Sequence, residues 1–325
     1  MCLKLYIHNL LLIYIVLILT GTQFWVTALS FFFCGLAYAF ESGSGDALVY
    51  DSLIELNQED KYMKVQGIKE ILFQVSSSIA LFIGGYVAVE HYNLNFKIMF
   101  LVFVVALIPI LLMKEIQVNK DKNRKKFTTL VYEHFIKSTK TVFSNRKLLF
   151  LIIIGALLAA PVTSLFFYLQ NYLFDIDYSI SQIGIILGLH SVAGASGGYF
   201  AHIIEKKYKQ KLILYIIPIF MVILLWLVLI DEIIFIPFIL LGFFDSVFFV
   251  VLNDYINKIV SSEIRATVLS FSSLAFSVVM IMIFPLLGFI GELSTLRTSF
   301  MVLAILVTSS YIFLVFVLKN TRILD

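Results

Sequence analysis

A chain of 325 residues that is 61% hydrophobic and only 14% charged does not suit a soluble domain, in which about a quarter of residues carry charge. Two cysteines, Cys2 and Cys34, make neither a disulfide framework nor a metal-ligand spacing, and a net charge of +3 without basic-aromatic interleaving argues against nucleic acid. A lipid bilayer is the solvent that fits, since a spanning helix takes roughly 20 apolar residues.

Apolar stretches fall at 5–21, 24–40, 67–89, 96–113, 148–173, 180–202, 211–230, 233–256, 265–290 and 298–318. All ten outrun a strand and none alternates with period 2, so each predicts a helix. Backbone groups in lipid must be satisfied within the segment, which makes the expected fold an all-α polytopic bundle. The first stretch reads as a span and not as a signal peptide, because no small-x-small cleavage site follows Leu19.

The second stretch ends in FESGSGDALVYDSL, residues 40–53. At about 100° per residue, Asp46 and Asp51 lie roughly 140° and 80° from Glu41 on opposite sides, so the three acids cannot form one site on one helix face. Glu41, the deepest, is a candidate for a substrate or proton pathway. Asp46 and Asp51 are candidates for a gate or for interhelix pairing, and Gly43 and Gly45 suit close helix approach.

In the third stretch Gln74, with Ser76, Ser77 and Ser78, could line a cavity or bond to a neighbouring helix. After the fourth comes a basic linker, 114–147, holding Lys114, Lys120, Lys122, Arg124, Lys125, Lys126, Lys137, Lys140, Arg146 and Lys147. Its segment 127–143 has apolar residues at helical spacing, which fits an amphipathic surface helix as well as a solvated connector. Gln170 and Asn171 near the end of the fifth stretch are further pathway candidates.

An ionisable group at the bilayer centre costs about 2.5–3.5 kcal/mol on insertion scales and so needs a reason. His190 sits midway along the sixth stretch and Asp245 midway along the eighth, at similar depth. A carboxylate facing an imidazole could exchange a proton as substrate arrives; the plain alternative is a structural pairing for each. Glycines and alanines from Gly184 to Gly198 are read as helix-packing residues. Asp231-Glu232, between the seventh and eighth stretches, reads as a solvated pair. Asp254 and Lys258 are spaced i and i+4, as a helix-surface ion pair would be. With Asn257 and Arg265 they complete the gate or interhelix candidates.

Lys206, Lys207, Lys209, Lys258 and the linker cations alternate with the acidic turns at Asp175, Asp177, Asp231 and Glu232. The positive-inside rule then puts the linker and both termini in the cytoplasm of a cell-membrane protein. The linker divides the spans four and six: an N-terminal bundle 1–113, the linker 114–147, and a C-terminal bundle 148–325.

Three segments carry a family resemblance. GLAYAFESGSGDALVYDSL (Gly35–Leu53) is similar to the inner end of the fourth helix in a bacterial branch of the major facilitator superfamily. YINKIVSSEIRATVLS (Tyr255–Ser270) resembles the junction of its tenth and eleventh helices, and GGYFAHIIEKKYKQK (Gly197–Lys211) its eighth-to-ninth loop. The resemblance implies the two-bundle fold with the first two helices missing, about ten spans in place of twelve. It also implies that a partner for the inner acids would lie in a second-to-third loop that this chain lacks. Two antiporter features are absent: Phe31 stands where many have an arginine, and Ile83-Gly84-Gly85 has no proline.

The expected function is secondary transport of a small solute by alternating access, with proton-coupled efflux as the form favoured by the resemblance. The alternative is an N-terminally truncated fragment without transport of its own. No phosphate loop, HExxH or Cys/His cluster supports an enzyme. No cofactor is expected beyond a proton as coupling ion, and the expected partners are the lipid bilayer and a small-molecule substrate, with no obligate protein partner.

Overall fold

A computed structural model describes residues 2–41, 49, 52–53, 55–58, 62–113, 139–140, 142–208, 210–260 and 262–320. Asp46, Asp51, most of the linker, and the side chains of Gln74 and Arg265 lie outside the described residues. Nine helices follow in order among those described: α1 (Cys2–Thr20), α2 (Phe24–Glu41), α3 (Tyr62–Leu112), α4 (Arg146–Asp175), α5 (Ile180–Lys207), α6 (Gln210–Leu227), α7 (Phe235–Ile259), α8 (Ser262–Leu293) and α9 (Leu296–Asn320). α3 breaks at His91 (φ −139°, ψ 68°), which splits it into the apolar segments Ile71–His91 and Asn93–Leu112. Each of the ten apolar stretches is thus helical. Eight segments have the length and composition to cross a membrane, and Lys4–Thr20 and Leu212–Leu227 are shorter apolar helices.

Two compact units make up the chain, Met1–Met63 with Tyr86–Leu130, and Lys64–Gly85 with Val131–Asp325. In the first, α1 and α2 form an antiparallel hairpin around a small core of Ile7, Leu10 and Ala37. The edge of Tyr6 meets Phe40 at 5.4 Å. His8, 5% exposed, donates from Nε2 to the carbonyl of Phe103 at 2.7 Å, tying α1 to the second half of α3.

The second unit is built around α4. Leu148, Leu151, Ile154, Leu158, Val162, Leu165 and Leu169 repeat every three or four residues and are at most 2% exposed, the pattern of a helix enclosed by others. Asn145 caps its start by accepting from the Leu148 amide, and a capping box of Ser179 and Gln182 starts α5, satisfying amides that would otherwise be orphaned. Polar side chains stitch neighbours together where lipid offers no partner. Tyr168 of α4 donates to the Phe284 carbonyl of α8 at 2.9 Å. Trp226 of α6 donates to Thr308 of α9 at 3.1 Å.

Small residues let backbones touch. A Cβ placed on Gly85 of α3 would lie 2.7 Å from the Cα of Gly184 on α5, and one placed on Gly188 would strike the Phe82 ring. The closest contact is between α5 and α7. A Cβ at Gly197 would come within 2.2 Å of the Phe243 carbonyl oxygen, and one at Gly242 within 2.4 Å of that of His190. The packing role read for these α5 glycines from sequence is the one the structure gives them.

Candidate functional site

Asp245 occupies the middle of α7, a helix of large apolar side chains that no water can solvate from within. Its neighbours along the helix are spent on packing. Phe243 backs onto Gly197 of α5, Phe244 stacks on Phe220 of α6 at 4.8 Å, and Ser246 is buried. The Asp245 Oδ1 is sealed from solvent and has no hydrogen-bond partner. A buried polar atom left unpaired in this way costs about 1–3 kcal/mol. Structural packing alone does not account for a carboxyl here, since valine or leucine would serve better.

His190 is engaged elsewhere. Its Nδ1 lies 2.8 Å from the carbonyl oxygen of Phe238, so Nδ1 carries the hydrogen and, in the neutral ring, Nε2 is left as an acceptor. The ring stacks on Phe238 at 4.4 Å and 18° and meets Phe166 of α4 at 5.4 Å. In a helix the Phe238 carbonyl lies near the level of Gly242, about one turn from Asp245. No hydrogen bond joins the two side chains. The direct carboxylate-imidazole pair expected from their similar depth is therefore replaced by a histidine that bridges α5 to α7 and a carboxyl whose Oδ1 has no partner.

The remaining candidates separate. Gln170 donates to the Phe166 carbonyl of its own helix at 3.2 Å, and Asn171 is exposed. Neither is brought to Asp245. At the basic end, Lys258 pairs with Asp254 at 2.5 Å, as its spacing predicts, and also reaches Glu205 of α5 at 3.4 Å. What sequence gives as a pair within one helix is a bridge between two. Asn257 is half-buried on the same turn.

Glu41 has a partner within the chain. Lys4 donates to both its carboxylate oxygens, at 2.5 and 2.7 Å, so Glu41 is held by α1. Hairpin arithmetic could have found it, since residues 4 and 41 are nearly equidistant from the turn at 21–23 that joins α1 to α2. Expected from this geometry is a coupling of about 1 kcal/mol between the two side chains. Lys4→Met and Glu41→Gln should each lower the thermal midpoint in detergent. The double variant should lose less than the sum, and strict additivity would show that the pair contributes nothing.

Asp231 is not simply solvated. It accepts from the Tyr172 hydroxyl at 2.7 Å and lies 3.5 Å from the Arg297 guanidinium, which also donates to the Leu229 carbonyl. This cluster joins α4, the 3-10 turn Asp231–Ile233 and α9 at the acidic end. No local spacing signals it, because its members are scattered over more than a hundred residues.

A profile of the Major Facilitator Superfamily matches residues 5–236, well over half of the chain. The chain belongs to the Major Facilitator Superfamily. Curated protein sequences gave no match. Among solved structures, the chain is similar to the superfamily transporter FucP in its outward conformation, with TM-score 0.62, 13% identity, and coverage of 97% of this chain and 83% of that one. Similarity to the E. coli fucose:proton symporter FucP gives TM-score 0.57 at 12% identity, over 97% and 83%. For a bacterial homologue of the human lysosomal transporter Spinster, inward-facing and occupied, the TM-score is 0.63 at 11% identity, over 97% and 82%. At such low identity these likenesses establish the fold. The superfamily chain is an all-α, multi-pass membrane protein, and membership implies a transporter in place of an enzyme.

Proposed function

We propose that this superfamily chain exports a small amphipathic solute by alternating access, coupled to protons through Asp245. The supporting observation is the sealed, unpartnered carboxyl oxygen in the middle of α7. A buried carboxyl oxygen without a donor is costly to the fold, and water reaching it relieves that cost. Such a group can take up and release a proton as a transport cycle opens and closes its surroundings. His190, with Nδ1 held by Phe238, ties α5 to α7 beside it. Residues 1–113 and 148–325, on either side of the basic linker in the sequence, would serve as the two bundles, with Lys64–Gly85 grouped with the second. The Lys206, Lys207 and Lys258 end faces the cytoplasm of the cell membrane, by the positive-inside rule.

Inside-out vesicles with an imposed pH gradient test this reading, with ethidium as the fluorescent probe. Asp245→Asn should reduce gradient-driven ethidium accumulation by about tenfold or more. Unchanged accumulation with unchanged pH dependence in Asp245→Asn would remove the coupling role.

A further inference from the structure

Pro285 stands inside α8. It has no N–H, so the Ile281 carbonyl loses its donor within the helix, and the proline ring presses on that carbonyl. Gly288, three residues on, is a second weak point in a helix. A membrane helix tolerates such a turn where neighbours re-satisfy the loosened backbone.

Neighbours do reach α8 at the proline and beyond it. Tyr168 of α4 donates to the Phe284 carbonyl at 2.9 Å, and its ring lies 4.7 Å from that of Phe284. The hydroxyl takes space that only a glycine leaves, since a Cβ at Gly288 would lie 2.6 Å from it. Ser299 of α9, wholly buried, donates to the Leu287 carbonyl at 2.7 Å. Ile283 and Leu287 are buried as well.

Before the proline, α8 is held differently. No residue from Leu269 to Met282 is buried, and Ser272, Ser273 and Ser277 donate to carbonyls of α8 itself. Ser164 of α4 reaches this part through the Met280 sulfur at 3.4 Å, a weak acceptor. One side of the weakened turn thus has few buried contacts, and the other is hydrogen-bonded to two helices. Such a helix bends at that turn.

We propose that α8 is hinged at Pro285 and that the Tyr168 hydroxyl is the clip that fixes the hinge. The part beyond Pro285 stays with α4 and α9, while the part before it, toward the basic end, swings. The hinge rests on backbone chemistry and takes nothing from the reading of Asp245. Tyr168→Phe isolates the clip, because it keeps the ring against Phe284 and removes only the hydroxyl.

Spin-label distance distributions test the hinge in the full chain carrying Cys2→Ser and Cys34→Ser, reconstituted in liposomes. One pair, Ile153→Cys with Ser273→Cys, reads the part of α8 before the proline against α4. A second, Phe174→Cys with Phe289→Cys, reads the part beyond it, and all four positions are exposed. The first distribution should be about twofold broader than the second, as looser packing before the hinge requires. Pro285→Ala should narrow the first, and Tyr168→Phe should broaden the second by about twofold, since the outer part then loses its bond to α4. Equal widths for the two pairs, or a second pair indifferent to Tyr168→Phe, overturn the proposal. Should Tyr168→Phe fail to fold, Pro285→Ala decides alone, and a first pair as broad as before removes the hinge.

Discussion

Gly197→Leu should abolish the recoverable folded protein, or lower its stability by about 3 kcal/mol or more. The first carbon of any side chain at this position would lie 2.2 Å from the Phe243 carbonyl oxygen and 3.0 Å from its carbonyl carbon. Those atoms belong to the backbone of α7, so no rotamer change relieves the collision and the two helices must move apart. Separation would also strain the opposite contact, where Gly242 meets the His190 carbonyl, and the Nδ1 bond of His190 to Phe238. Membrane helices associate through this kind of close packing because lipid supplies no hydrophobic drive between them. Gly35 on α2 is the control. A Cβ there meets nothing within 4 Å, so Gly35→Ala should be neutral or stabilise by up to about 1 kcal/mol through helix propensity. Thermal midpoints of detergent-solubilised protein, followed by size-exclusion recovery, separate the two cases. Equal tolerance at the two glycines would contradict the α5–α7 contact.

Asp245→Val should move stability the other way. Valine has a similar volume and no polar atoms, so it removes a buried oxygen that has no partner. A gain of about 1–3 kcal/mol is expected, read as a higher thermal midpoint. The same variant should lose gradient-driven ethidium accumulation. Stability rising as activity falls is the mark of a residue kept for function against the interest of the fold. A drop in midpoint would mean that Asp245 has a structural partner and would count against its role in transport.

The helical stretches and their order were legible because each is apolar and too long for a strand, and a backbone in lipid has no stable option but a helix. Family resemblance was legible in short segments around Gly35–Leu53, Gly197–Lys211 and Tyr255–Ser270. Asp245 and His190 stood out for the same physical reason, since few ionisable side chains occur so far from water. Sequence could not say how those two relate. Equal depth suggested a pair, but the rotation of each helix about its axis turns His190 to the Phe238 carbonyl and leaves the Asp245 Oδ1 without a partner. Rotation is set by side chains on neighbouring helices, and no local spacing encodes it. Lys4 with Glu41, Glu205 with Lys258, and Tyr172 with Asp231 and Arg297 have the same origin. Hydropathy alone determined which segments are helices and where charges stand along them. Only tertiary packing decided which charges meet, because that depends on where distant helices bring their faces together.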